Sequence, residues 1–164
     1  MIVAIWNIRG LNKLGKLDYV KDLISNNNLD FVGLQETKKA NFHCSVLSYI
    51  GSNFSWNYLP ATGSAGGILL GFKTFKFEVI FWDIRQFSIS AIVKNTVDKK
   101  TWKCSAVYGS AYDQGKQEFI AELHAISSNW EGPLLIGGDF NLTRSISDKT
   151  NENINFHWSD LFNN

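Results

Sequence analysis

The sequence carries little charge of either sign in excess: 16 Lys and Arg stand against 15 Asp and Glu, for a net charge of +1. A basic arm for polyanions or an acidic solvating tract would show as an imbalance, so neither class is supported. Cysteine is scarce. Cys44 and Cys104 lack a metal-type C-x-x-C spacing and read as two reduced, buried thiols of an intracellular protein. The histidines His43, His124 and His157 lie far apart without H-x-x-x-H spacing, which argues against zinc. No apolar run approaches membrane-spanning length, so no membrane partner is expected. Met1 to Trp6 reads as a strand from its first residue, and Asn7 and Arg9 interrupt it before a signal-peptide core can form. A nuclear or cytoplasmic protein is the expectation. Low-complexity segments, a Gly-Lys-Ser/Thr phosphate loop and a G-x-S-x-G elbow are also missing.

Apolar and aromatic residues are plentiful, at 45% and 14% of 164 residues, which suits one packed domain over 1–164. Strand and helix signals alternate along it. Ile2 to Trp6 is a strand, and Leu17, Val20, Leu23 and Ile24 then recur at helical spacing. Phe31 to Leu34 is a second strand, followed by a loop-rich stretch to Ala65. Gly66 to Phe72, Val79 to Trp82 and Phe87 to Val93 read as further strands. From Trp102 the opening plan returns: strand Trp102 to Tyr108, a helix with the stripe Phe119, Leu123, Ile126 and Trp130, and strand Leu134 to Gly137. His124 falls on the surface of that helix. Both strand–helix–strand units finish in a carboxylate, Glu36 and Asp139. Two sheets with helices outside would bring four polar strand ends to one rim, where α/β folds bind ligands.

The segment Ile136-Gly137-Gly138-Asp139-Phe140-Asn141 raises the chemical question. If it is extended, Asp139 and Asn141 share a face and Phe140 takes the other. The two glycines strip away side chains, which would let a phosphate approach. Each polar residue has a plainer reading as well: Glu36 as a solvated turn residue, Asn7 as a turn cap, Asp139 as a helix N-cap. Four such residues at four strand ends are harder to ascribe to capping. Together they fit phosphodiester hydrolysis, with a metal on Glu36 neutralising charge on a phosphoryl oxygen. Asp139 would orient or deprotonate a water, while Asn7, Tyr108 and Asn141 donate hydrogen bonds to phosphate or position the acid. Arg9, Lys38, Lys39 and Arg144 flank these positions as contacts to a nucleic-acid backbone, or simply as solubilising charge.

Ile5 to Asn12, Gly33-Leu34-Gln35-Glu36-Thr37-Lys38, Ser64-Ala65-Gly66-Gly67-Ile68, Val107-Tyr108-Gly109 and Gly138-Asp139-Phe140-Asn141 resemble successive motifs of the endonuclease/exonuclease/phosphatase superfamily. They look most like the apurinic-like endonuclease domain of plant non-LTR (LINE-type) retrotransposons. The resemblance implies a DNase-I-like, four-layer α/β/β/α sandwich and Mg²⁺- or Mn²⁺-dependent cleavage of DNA. It implies a metal ligand at Glu36, with Asn7 and Asp139 at the same metal site. It also implies a phosphate contact at Tyr108, a water-orienting acid at Asp139 and a transition-state donor at Asn141. Family members continue past this point and end in a Ser-Asp-His motif, whereas Ser159-Asp160 here is followed by Leu161. Two expectations follow. Trp102 to Tyr108 and Leu134 to Gly137 are inner strands of a second sheet left incomplete at the C-terminus, with the tail Asn151 to Asn164 as one possible cover. The protein is a weak DNA nuclease, or a domesticated, catalytically dead relative that binds and regulates a protein partner; in either case that edge favours a homodimer or a foreign strand.

Overall fold

The computed structural model describes residues 1–63, 65–148 and 155–163. The chain runs β1 (Val3–Asn7), α1 (Lys16–Asn26), β2 (Phe31–Gln35), α2 (Cys44–Gly51), β3 (Phe54–Thr62), β4 (Ala65–Lys73) and β5 (Phe77–Ile84). It continues through β6 (Ser88–Asn95), β7 (Thr101–Tyr108), α3 (Asp113–Ser128), β8 (Leu134–Asp139) and α4 (Phe156–Asn163). Two four-stranded sheets result, ordered β1-β2-β4-β3 and β5-β6-β7-β8. The two strand–helix–strand units each make a parallel pair, β1 with β2 and β7 with β8, and the remaining pairs are antiparallel.

Alternation along β2 shows how the layers stack. Phe31 joins Phe72, Ile89, Val93 and Ala106 between the sheets, and its ring stacks on Phe72 at 4.8 Å. Val32 and Leu34 point the other way, into a cluster with Val20 and Ile24 of α1 and Ile50 of α2. On the far side, α3 buries Phe119, Ile120 and Ile126 over the second sheet. Beneath it Ser90 and Ser105 share a 2.7 Å hydrogen bond, and Lys103 Nζ donates to the Ile126 carbonyl at 2.9 Å. A four-layer α/β/β/α sandwich is the outcome, with polar residues tolerated under α3 because each finds a partner.

Three expectations need correction. The stretch before Ala65 is not loop: it holds α2 and β3. Val46, Leu47 and Ile50 supply the helical face, and Phe54, Trp56 and Tyr58 alternate along the strand, with Pro60 tolerated because β3 is an edge. The second sheet does end at β8, with no further strand beside it among the described residues, as the expectation of an incomplete sheet had it. Cys44 is exposed at the start of α2, and only Cys104 is buried, its thiol pushed up to about 12 by burial. Trp130 lies beyond the C-terminus of α3, where its indole N–H donates to the Pro133 carbonyl. Of the tail, 149–154 and 164 fall outside the described residues, as does Ser64. Its later part forms α4, which lays Phe162 on Phe140 and Ser159 Oγ on the Thr143 carbonyl. His124 is exposed on α3, as its helical position implied.

Candidate active site

Parallel pairing within each unit brings the ends of β1, β2, β7 and β8 to one rim. The strand ends are zipped past the last residues of the sheet. Ile8 N–H donates to the Gln35 carbonyl, Gly10 N–H to that of Glu36 and Leu11 N–H to that of Thr37. On the other side Thr37 and Lys38 N–H donate to Gly67 and Gly66. Gly67 makes this docking possible, since a Cβ there would overlap Thr37 Oγ1. Glu36 is therefore carried on backbone fixed from two directions. Arg9, Glu36, Lys38 and Asn141 all have positive φ, four of the six such non-glycine residues among the described residues. Held strain of this kind concentrates where geometry matters to function.

Asn7 joins the two sheets. Its Oδ1 accepts from Arg9 N–H at 3.2 Å, which turns Nδ2 toward the rim. Nδ2 donates to Glu36 Oε1 at 2.9 Å and to Asp139 Oδ2 at 2.8 Å. The Tyr108 hydroxyl donates to the same Glu36 Oε1 at 3.0 Å. Burial, then the Glu36 hydrogen bond and the charges of Glu36 and Asp139, push the Tyr108 phenol up to about 12. It is thus a neutral donor at ordinary pH. Neither Glu36 nor Asp139 forms an ion pair with Lys or Arg among the described residues. Two carboxylates from different sheets share one neutral bridge.

Asn141 reaches the rim by a different route from the one its spacing suggested. The backbone leaves the extended form there, with φ 49°, and Asn141 N–H donates to Asp139 Oδ1 at 3.1 Å. Its Nδ2 donates to the Gly109 carbonyl at 2.8 Å. Phe140 does face away, into Phe119 and Phe162. The glycines before Asp139 serve packing rather than phosphate approach. A Cβ at Gly137 would meet the Ile5 side chain of the facing sheet, and one at Gly138 would overlap the Val107 carbonyl.

The expected cations are less concentrated. Arg9 and Lys38 are exposed on the strained rim turns, and Lys39 is half-buried with its carbonyl accepting from Ala61 N–H. Arg144 is turned to α4, where its Nε donates to Asn163 Oδ1 at 3.2 Å. No group of three or more His, Cys, Asp and Glu suited to a metal occurs among the described residues. None of the three histidines bonds to the rim: His43 caps α2, His124 is exposed on α3, and His157 packs on Trp158. Gly109 stands within the motif Val107-Tyr108-Gly109, where the sequence reading assigns it no role. A Cβ there would overlap the Phe140 carbonyl, while Gly109 N–H donates to the Asp139 carbonyl at 2.8 Å, so it brings β7 and the Asp139 turn together. Its only signal was the adjacency to Tyr108.

An α/β/β/α sandwich with an Asn, a Glu, a Tyr and an Asp converging from four strand ends defines the class of fold and rim. The chain belongs to the endonuclease/exonuclease/phosphatase family, whose profile matches residues 4–162. Among solved structures, an AP endonuclease from Archaeoglobus fulgidus superposes with a TM-score of 0.73 at 15% identity, covering 99% of this chain and 69% of that one. An endonuclease/exonuclease/phosphatase from Bacteroides vulgatus gives 0.67 at 20% identity, over 87% and 66%. The human Nocturnin catalytic domain gives 0.66 at 16% identity, over 87% of this chain; 65% of that domain is spanned. No curated protein sequence matches. No helix among the described residues is long and apolar enough to cross a membrane.

Proposed function

We propose that this domain is a metal-dependent phosphodiesterase that nicks DNA, of retrotransposon endonuclease origin and slow in its chemistry. One observation carries the reading: Glu36 and Asp139, on different sheets, are bridged by the single amide of Asn7, with no Lys or Arg paired to either among the described residues. Hard carboxylate oxygens facing one another without a counter-charge suit Mg²⁺ or Mn²⁺, which would sit on Glu36 and Asp139 beside Asn7. When bound, such an ion supplies charge neutralisation to a phosphoryl oxygen. The chain's own residues do the rest. Tyr108 offers a hydroxyl that stays protonated, and the Asn141 amide, whose Nδ2 holds the Gly109 carbonyl, lies beside it at the rim. Asp139 has both oxygens pinned, by Asn141 N–H and Asn7, and so presents a fixed acceptor for an attacking water. The retrotransposon origin rests on the order and wording of the motifs at 5–12, 33–38, 64–68, 107–109 and 138–141.

The proposed slowness concerns residues 1–164 alone and rests on their rim chemistry. A positioned His acting on the scissile phosphate contributes on the order of 10²–10⁴-fold, and none of His43, His124 and His157 bonds into this network. Plasmid nicking with Mn²⁺ tests both claims. Slow nicking reduced to background by Glu36→Gln is expected, whereas nicking indifferent to that change sinks the site. Robust nicking abolished by His157→Ala would sink the slowness. A second reading, a domesticated and catalytically dead protein that binds and regulates a partner, draws support from the free edge of β8; complete absence of nicking would favour it.

A further inference from the structure

A cavity of about 250 Å³ opens beside the rim, between the β3–β4 turn and the loop joining β7 to α3. Tyr108 is one of its lining residues, and the same side chain's hydroxyl donates to Glu36, so the cavity adjoins the site across Tyr108. Its lining contains no Asp, Glu, Lys, Arg or His. A phosphate would find no counter-charge there, but the uncharged part of a nucleotide would find apolar walls in Pro60 and Phe87. Tyr112 stands at the mouth, 79% exposed. An aromatic ring left in water contributes little to the fold, yet its backbone is held firmly. Ser110 Oγ donates to the Tyr112 carbonyl at 2.7 Å and accepts from Tyr112 N–H at 3.1 Å. Opposite it, Gly66 leaves open space where a side chain would intrude.

We propose that this cavity takes one unstacked nucleobase of the strand whose phosphodiester lies at Glu36 and Asp139, with Tyr112 as its stacking face. The proposal rests on the phosphodiesterase reading and narrows it, because a base can enter only from a single-stranded or unpaired stretch. Aromatic stacking of this kind is sequence-tolerant, since every base has a π-face. Backbone contacts at the rim and a base in the cavity then fix the register of the strand. A fully paired duplex gains the first without the second.

The test uses three short DNA probes with the metal chelated, so that nothing is cut: a single strand containing 2-aminopurine, the same strand with abasic residues, and the paired duplex. The single strand should bind best, with 2-aminopurine fluorescence quenched on binding. Tyr112→Ala should weaken it on the order of tenfold and abolish the quench, in line with single base–aromatic stacks. The same variant should leave abasic-strand binding unchanged. Tyr112→Phe should restore both signals, and Ala111→Trp, which fills the cavity from its wall, should act like Tyr112→Ala. Single-strand binding indifferent to Tyr112→Ala overturns the base subsite and leaves the phosphodiesterase reading standing. No binding of any probe by the unaltered protein overturns both.

Discussion

Tyr108 illustrates how one side chain reports on its neighbours. Its phenol is raised to about 12 first by burial, then by the hydrogen bond to Glu36 and the charges of Glu36 and Asp139. Each of these disfavours the phenolate. A raised pKa in the folded state makes a stability contribution that is complete below the unfolded value near 10 and lost as pH climbs toward 12. Ultraviolet titration of the folded protein should therefore show Tyr108 ionising late, alongside Tyr49, whose phenol is raised by its hydrogen bond to Asp18. Tyr108→Phe should remove the Tyr108 step alone. Glu36→Gln should move it earlier, because a neutral amide no longer opposes the phenolate. An unmoved titration in Glu36→Gln would deny the contact. At this scale the sequence was legible for residue types and illegible for their bonding. Asn7, Glu36, Tyr108 and Asp139 stood out because polar groups ended apolar strands. That Asn7 spans two sheets depends on Arg9 N–H turning its amide, which no spacing rule encodes. The glycines at 137 and 138 were misread for a related reason: the atoms they make room for lie on other strands.

Among the elements, the loop entering β2 holds an ion cluster at the end of the sheets opposite the rim. Asp30 is fully buried and meets Lys76 Nζ at 2.8 Å and Lys73 Nζ at 3.7 Å, while Ile2 N–H donates to its Oδ2 at 2.9 Å. Burial alone would raise its carboxyl; the hydrogen bonds from Lys76 and Ile2 and the two lysine charges prevail and hold it below the ordinary 3.8. A depressed pKa contributes stability that is present above the unfolded value and lost as pH falls through the folded one. Breaking such a buried set leaves Lys73 desolvated without its counter-charge. Asp30→Asn should thus cost about 3 kcal/mol at neutral pH, the low end for a buried pair because the Lys76 side chain is 43% exposed. Urea unfolding measures it, and the gap between variant and parent should narrow as pH drops below 3.8. A gap that does not change with pH would show that lost shape, not charge, is responsible. Long, periodic elements were legible from the sequence. Strand β3 was not, since Asn57 and Pro60 disguised the alternation of Phe54, Trp56 and Tyr58. Helix α2 hid behind an unusual cap, His43, whose Nδ1 accepts from Ser45 N–H.

For the whole molecule, the architecture was legible because two similar strand–helix–strand plans could be counted along the chain. The open edge at β8 was legible too, since its apolar run reads as a strand that expects neighbours on both sides. Strands β1 and β8 are both edges and lie against each other, so the two sheets open on the same flank. Every residue of both strands is half-buried. Neither strand carries a Lys, an internal Pro or a bulge, the devices by which edges avoid pairing with other chains. Helix α4 covers only the segment after β8: it reaches Phe140 and Thr143, and a space of about 230 Å³ stays open between α3, Ile136 and Phe162. Apolar area left in water forgoes about 25 cal/mol per Å². A few hundred Å² is then comparable with a whole domain's margin of about 5–15 kcal/mol. Residues 1–164 expressed alone should accordingly self-associate through this flank at micromolar concentration, read by light scattering as a dimer mass. Leu134→Lys places a charge at the start of the exposed edge and should shift the population to monomer without unfolding it, because Leu134 is only half-buried. A stable monomer that takes up no hydrophobic dye would mean the flank is adequately closed by α4 and the β1–β8 contact, and the dimer would be refuted.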